Sequence, residues 1–209
     1  MKINEIFYSI QGEGLLTGTP TIFVRTTGCN LRCSYCDTKY AYDEGTDRTV
    51  EEILDRIKTF PCKNICITGG EPLLQKDASR LIKALLEKKY MICLETNGSK
   101  EIKKYTKKQS LVISLDIKCP SSKMSTQMIL KNISSLSKKD QIKFVIKNKT
   151  DYEYAKKILQ QYKPRCTVFF QPVWSTNPQK LASWIIDDGL SVRLGVQLHK
   201  IIWGAKRGV

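Results

Sequence analysis

The chain has one histidine, His199, in 209 residues, and only 20 acidic residues against 35 basic ones. A lone histidine in a strand-like run is more often structural than catalytic, so general-base chemistry is not built on it. No run of about 18 apolar residues exists, which excludes an apolar membrane-spanning helix. The first residues carry Glu5 where a secretory leader needs apolar ones, so a cytosolic protein is expected. Repeats, low-complexity stretches and linkers are absent, which leaves a single domain over residues 1–209. A chain of this length buries roughly 70% of its unfolded surface. The net charge of +15 invites a nucleic-acid reading. However, the lysines are scattered, as in Lys88-Lys89, Lys103-Lys104, Lys107-Lys108 and Lys138-Lys139. No basic stripe interleaved with aromatics appears, so nucleic acid is not the expected partner. A basic surface also suits docking of an acidic electron donor.

What the chain does have is cysteine, eight in all. In a cytosolic chain this points to metal or redox work rather than to bridges. Cys29, Cys33 and Cys36 stand at spacing C-x3-C-x2-C. Thiolates so close can turn onto one soft metal centre. Three ligands are one short of a closed zinc site or an ordinary ferredoxin cluster. A 4Fe–4S cluster held by these three would keep one iron open. A zinc knuckle with Cys62 or Cys66 as fourth ligand competes on spacing alone. The remaining cysteines, including Cys93, Cys119 and Cys166, need no function, because cysteine packs in strands as a small hydrophobe.

Apolar strands alternate with amphipathic helices from residue 20 onward. Strands are expected at Thr21–Thr26, Asn64–Thr68, Met91–Glu95, Leu111–Asp116, Ile142–Ile146 and Thr167–Phe170. Thr49 and Glu52 form a capping-box pattern ahead of a helix with Ile53, Leu54 and Ile57 on one face. Further helices are expected on Leu81–Leu86, on a lysine-rich stretch after residue 98, on Ile129–Leu136, on Tyr154–Leu159 and on Leu181–Ile185. Repeated βα units imply a mainly parallel sheet with right-handed crossovers. In such folds ligands collect at the carboxyl ends of the strands. Those ends carry the cysteine loop, Thr68-Gly69-Gly70-Glu71-Pro72, Glu95-Thr96-Asn97-Gly98, Ser114-Leu115-Asp116 and Gln171-Pro172-Val173-Trp174.

The triad followed by Gly69-Gly70-Glu71-Pro72 resembles the radical S-adenosylmethionine (SAM) enzymes. In them the open iron chelates the methionyl end of SAM, and an electron from the cluster yields a 5′-deoxyadenosyl radical. Ser9-Ile10-Gln11-Gly12-Glu13-Gly14, Arg25, Asp37-Thr38, Glu95–Gly98 and the terminal Gln197-Leu198-His199-Lys200…Val209 narrow the likeness. Together they resemble the 7-carboxy-7-deazaguanine synthases over nearly the whole chain. The resemblance implies an incomplete parallel βα barrel of the radical SAM type, compact and with reduced helices. It implies an N-terminal substrate segment (1–20) and a C-terminal capping tail (about 190–209). Implied activity is conversion of 6-carboxy-5,6,7,8-tetrahydropterin to 7-carboxy-7-deazaguanine with release of ammonia. Implied cofactors are the 4Fe–4S cluster on Cys29, Cys33 and Cys36, SAM, and Mg²⁺ with Thr38 as ligand. Tyr35, Cys36, Asp37, Gly70, Ser114, Leu115, Asp116, Gln171, Pro172, Val173 and Trp174 are implied for SAM. Ile10, Gln11, Gly12, Arg25, Thr68 and Val209 are implied for substrate. A homodimer served by a flavodoxin-like donor completes the expectation. The rivals are an activase that installs a glycyl radical in a protein, and a zinc-bearing RNA-binding module.

Overall fold

The computed structural model describes residues 1–209. One nine-stranded sheet runs through the molecule. Its strands are β1 (Lys2–Ile10), β2 (Pro20–Thr26), β3 (Thr46–Asp47), β4 (Asn64–Gly69), β5 (Met91–Thr96), β6 (Leu111–Ile117), β7 (Gln141–Ile146), β8 (Thr167–Pro172) and β9 (Arg193–Leu194). The order is β3-β1-β2-β4-β5-β6-β7-β8-β9. From β2 to β9 every neighbour is parallel, while β1 lies antiparallel to β2 and β3. Both edge strands are two residues long, so β3 pairs only with Lys2 and Ile3 of β1 and the outer edge of β1 beyond them has no strand partner.

Helices α1 (Val50–Lys58), α2 (Ala78–Glu87), α3 (Lys149–Tyr162) and α4 (Pro178–Asp187) cover one face. The capping box forms as its sequence requires: Glu52 N–H donates to Thr49 Oγ1 at 3.2 Å, and Thr49 N–H to Glu52 Oε2 at 2.7 Å. Val50, Ile53, Leu54 and Ile57 of α1, with Ala78, Leu81, Ile82 and Leu85 of α2, are buried. They meet alternate strand residues such as Ile65, Ile67, Ile92, Leu94, Ile113 and Leu115 in one core. The period of two then sends the intervening residues to the opposite face. That face carries the polar side chains. Glu13, just past β1, reaches Lys143 of β7 and Gln171 of β8, so the sheet curls until its two halves close on one cavity.

Several expectations change. The lysine-rich stretch after residue 98 is a series of turns, not a helix. Only Ile102 and Tyr105 anchor it, and the like charges Lys103/Lys107 and Lys104/Lys108 sit at i,i+4, which opposes a helix. Residues Leu130–Ser135 form a 3₁₀ run instead of an α-helix. Leu130, Ile133 and Leu136 recur every three residues, the 3₁₀ period. Within residues 1–20, Lys2–Ile10 form strand β1, which carries Phe7 and Ile10 to the cavity. His199 lies in a short helix, α5 (Leu198–Trp203), not in a strand.

Candidate active site

The cysteine loop leaves β2 and is pinned from several sides. Gly28 N–H donates to Ala41 O at 2.8 Å, Ser34 N–H to Ser122 O at 3.1 Å, and Ser34 Oγ to Ser121 O at 2.6 Å. Leu31 is buried beneath it as an anchor. Cys29, Cys33 and Cys36 are free thiols, half-buried, and all line the same cavity of about 540 Å³. Leu31 N–H and Asn97 Nδ2 both point at Cys29 Sγ, at 3.4 and 3.7 Å. Such N–H donors stabilise a thiolate that ligates a metal. Burial pushes the Cys33 thiol up to about 11, while Lys118 opposes the shift. A bound cation reverses that logic. Three unpaired soft donors facing one void, with N–H groups on a sulfur, fit a three-cysteine cluster. Cys62 and Cys66 do not join them. Cys62 Sγ donates to Pro20 O at 3.1 Å, and Cys66 is buried on β4, so the knuckle with either as fourth ligand is not assembled.

Gly70 explains itself by crowding. A Cβ there would lie 2.0 Å from Gly28 O, so the glycine lets the β4 end close on the cysteine loop. Glu71 follows, fully buried. Its Oε1 accepts from Leu73 N–H at 3.0 Å and Thr96 Oγ1 at 2.9 Å, and its Oε2 from Asn97 N–H at 2.6 Å. It ties the end of β4 to the end of β5. Burial holds its carboxyl above the ordinary range, although those three donors pull the other way.

A second polar layer lies below. Thr68 Oγ1 donates to Glu95 Oε2 at 2.7 Å, and Gln11 Nε2 stands 3.5 Å from Glu95 Oε1. Arg25 spends only its Nε on a protein partner, Glu5 Oε1 at 2.7 Å. Its two terminal nitrogens remain for a planar anion. Phe7 and Tyr40 lie against the guanidinium, centroids 5.8 and 5.9 Å from Cζ.

Charge is concentrated on the β6–β7 side. Lys118 Nζ is 3.0 Å from Asp116 Oδ2, and Lys143 Nζ is 3.5 Å from the same oxygen and 2.5 Å from Glu13 Oε2. Burial alone would lower Lys143, but Glu13 and Asp116 hold it well above its ordinary value. Glu13 is correspondingly lowered to about 2: burial raises it, and the Lys143 ammonium more than offsets that. Asp116 Oδ1 is buried with no partner. An orphaned carboxylate oxygen facing a cavity fits a ligand with hydroxyl donors, as the ribose of SAM has.

Gln197 Nε2 donates to Glu13 Oε1 at 2.8 Å, and Lys200 Nζ reaches Asp37 Oδ2 at 2.5 Å, so the tail closes over the mouth. Burial would raise the Asp37 carboxyl, yet Lys200 holds it below its ordinary range. His199 packs on Gly12, where a Cβ would lie 2.1 Å from Nδ1. Burial lowers its pKa from 6.5, leaving a neutral ring at pH 7.

The cavity therefore collects the residues expected from sequence: Ile10, Gln11, Gly12, Arg25, Thr38, Thr68 and Val209, and also Tyr35, Asp37, Gly70, Ser114, Asp116 and Gln171–Trp174. Leu115 departs from the set, because its side chain lies in the core on the helix side. Any part it takes in ligand binding falls to its backbone. The sequence reading gave no role to Glu13, Lys118, Lys143 or Lys200 and set His199 aside, yet all five line the cavity.

The radical SAM superfamily model matches residues 23–165. The chain is 39% identical to the 7-carboxy-7-deazaguanine synthase of Thermoplasma acidophilum, over all of both chains. It is 41% identical to that of Methanospirillum hungatei, over 97% of this chain and 85% of the relative. Among solved structures, QueE from Escherichia coli superposes with a TM-score of 0.75 at 24% identity, covering 95% of this chain and 94% of that one, which bears out the partial-barrel fold. On these matches the chain is a radical SAM protein and belongs to the 7-carboxy-7-deazaguanine synthase family.

Proposed function

We propose that the chain makes 7-carboxy-7-deazaguanine from 6-carboxy-5,6,7,8-tetrahydropterin, with release of ammonia. The observation that carries this reading is one shared void. The cysteine triad and the free fork of Arg25 open onto the same small cavity, which the tail closes. A protein substrate, as an activase needs, fits that closed mouth poorly. A zinc-bearing RNA-binding module has no use for the carboxylate and amide layers beneath it.

Cys29, Cys33 and Cys36 would hold the 4Fe–4S cluster. SAM bound there supplies a 5′-deoxyadenosyl radical, the hydrogen-abstracting agent. Tyr35, Asp37, Gly70, Ser114, Asp116 and Gln171–Trp174, with the Leu115 backbone, would seat SAM. Arg25 would clamp the pterin carboxylate through Nη1 and Nη2. Ile10, Gln11, Gly12, Thr68 and Val209 would line the pterin. Thr38, whose Oγ1 lies 3.0 Å from Asp37 Oδ1, would offer an oxygen to Mg²⁺, which keeps waters and takes substrate oxygens readily. Anaerobic incubation with SAM, reductant, Mg²⁺ and the carboxytetrahydropterin should give 7-carboxy-7-deazaguanine by mass, with less formed when Mg²⁺ is omitted. A brown, SAM-cleaving protein that leaves this pterin untouched would overturn the assignment.

No helix is long and apolar enough to cross a membrane, which suits a cytoplasmic enzyme. A homodimer is proposed with it, and a sedimentation mass of one chain would refute that. The net charge of +15 suits an acidic flavodoxin as donor. Flavodoxin-driven turnover should then fall more steeply with salt than dithionite-driven turnover, because screening acts over about 8–10 Å. Equal salt dependence would remove the donor role from the basic surface.

A further inference from the structure

Two of the cysteines outside the triad are paired by the sheet. Cys66 of β4 and Cys93 of β5 are direct ladder partners, and both are buried. They sit on the inner face with Phe23, against Phe7 and Leu16, apart from the main core. Two residues further along β5, on the same face, stands Glu95. The two Sγ atoms and a Glu95 carboxylate oxygen all lie within 4.8 Å of one another. A packing role alone asks nothing of the residue across the ladder, nor of a carboxylate two positions on. Valine or isoleucine would fill such strand sites as well.

We propose that Cys66, Cys93 and Glu95 form a second, soft-metal site at the floor of the cavity, taking a thiophilic divalent cation of the zinc class. Two sulfurs and one carboxylate oxygen are a donor set such ions accept, and tetrahedral zinc needs only one more ligand. Water from the cavity supplies it. Glu95 and Thr68 line the cavity wall, and the two buried cysteines lie behind them, so an ion reaches the sulfurs past Glu95. On binding, the cation replaces the two thiol protons, which leave to solvent, and two thiolates with one carboxylate around a dication carry one net negative charge. Arg25 and Lys143 both direct positive charge at Glu95 and balance it. The bound ion takes Glu95 away from Thr68 and Gln11, so it competes with whatever that layer holds. The site itself does not depend on which substrate the cavity takes.

The test uses the cluster-loaded full chain, kept anaerobic, with Zn²⁺ titrated against a chromophoric chelator and iron measured alongside. About one zinc per chain should bind with no loss of iron, and the zinc absorption edge should report two sulfur neighbours. The double variant Cys66→Val/Cys93→Val keeps the apolar packing and should keep its iron, while zinc affinity falls roughly 100-fold or more. Glu95→Gln should weaken zinc less, with the same iron content. Zinc that enters only as iron leaves, or binds the double variant as tightly as the parent, would place it on the triad and overturn the proposal. So would a parent chain that takes up no zinc at all.

Discussion

Glu13 and Lys143 come from opposite halves of the sheet and meet at 2.5 Å across the cavity. Both are mostly buried, so the pair is a lock on the curl of the sheet and not a surface contact. Breaking a buried pair by removing one partner costs about 3–5 kcal/mol, because the other charge is stranded. Glu13→Ala should therefore lower stability strongly in urea unfolding, softened only by Asp116 at 3.5 Å from Lys143. Glu13→Ala/Lys143→Met should recover part of the loss. The pH dependence follows from the sign. Glu13 has a folded pKa lowered to about 2 against 4.5. Its stabilisation is present above the unfolded value and is lost as pH falls through the folded one. Between about pH 4.5 and 2, the parent should lose stability more steeply than Glu13→Gln. Equal slopes would mean that the pair carries no net linkage.

The triad makes a sharper claim. Cys33→Ala removes one of three ligands, and iron content after anaerobic reconstitution should collapse together with SAM cleavage. Cys62→Ala should load iron normally, because its thiol is turned to Pro20 O. Full loading of Cys33→Ala would mean that another cysteine serves the cluster.

Arg25 bears on the fold as well as on binding, because its removal also leaves the mostly buried Glu5 with only Arg207 at 3.5 Å and the Tyr40 hydroxyl. The Arg25 Nε is tied to Glu5, so the guanidinium is already aimed before an anion arrives. Arg25→Ala strands a buried carboxylate on the bound substrate, a loss of about 3–5 kcal/mol. The apparent KM for the pterin should rise by orders of magnitude, while SAM affinity barely moves. Arg25→Lys should recover little, because a point charge lacks the fork. Unchanged turnover at low substrate in Arg25→Ala would remove the clamp.

The reach of the sequence follows from how local each feature is. Cys29, Cys33 and Cys36 lie within eight residues, and Gly69–Pro72 are contiguous, so spacing alone exposed them. The ends of the strands were legible too, because a parallel βα succession places them on one rim. Pairing across that rim was not. Glu13 and Lys143 are 130 residues apart, and nothing in either neighbourhood selects the other until strand order and curl are known. The alternation of side chains also decides finer points. It puts Ser114 and Asp116 in the cavity and Leu115 in the core, a split that naming the tripeptide as a unit could not show. The same alternation brings Cys66 and Cys93 face to face, although each read alone as a small strand residue. Strand β1 was hidden because only Ile3 along it is fully buried, so its apolar pattern is weak.

Glu71 offers a test of how the motif after β4 works. Its carboxylate is fully buried and accepts three hydrogen bonds, from Leu73 N–H, Thr96 Oγ1 and Asn97 N–H. A glutamine there has the same shape but only one acceptor end. Placed with its oxygen toward Leu73, its NH₂ meets the Asn97 N–H, donor against donor. Flipped, the NH₂ meets the Leu73 N–H; the Thr96 hydroxyl can rotate to accept, but the backbone N–H cannot. One buried donor is left unpaired in either setting, at about 1–3 kcal/mol. Glu71→Gln should lower stability by that amount, and it should do so at neutral pH with the cysteines untouched. The loss should also spread, since Asn97 carries the amide 3.7 Å from Cys29 Sγ. Iron should still load, because the three thiols remain, but the electron paramagnetic resonance signal of the reduced cluster should shift and SAM should bind more weakly. Glu71→Asp should not rescue, because a side chain shorter by one methylene cannot span from β4 to β5. A Glu71→Gln protein with parental stability and an unshifted cluster signal would show that the carboxylate is not the tie between the two strand ends.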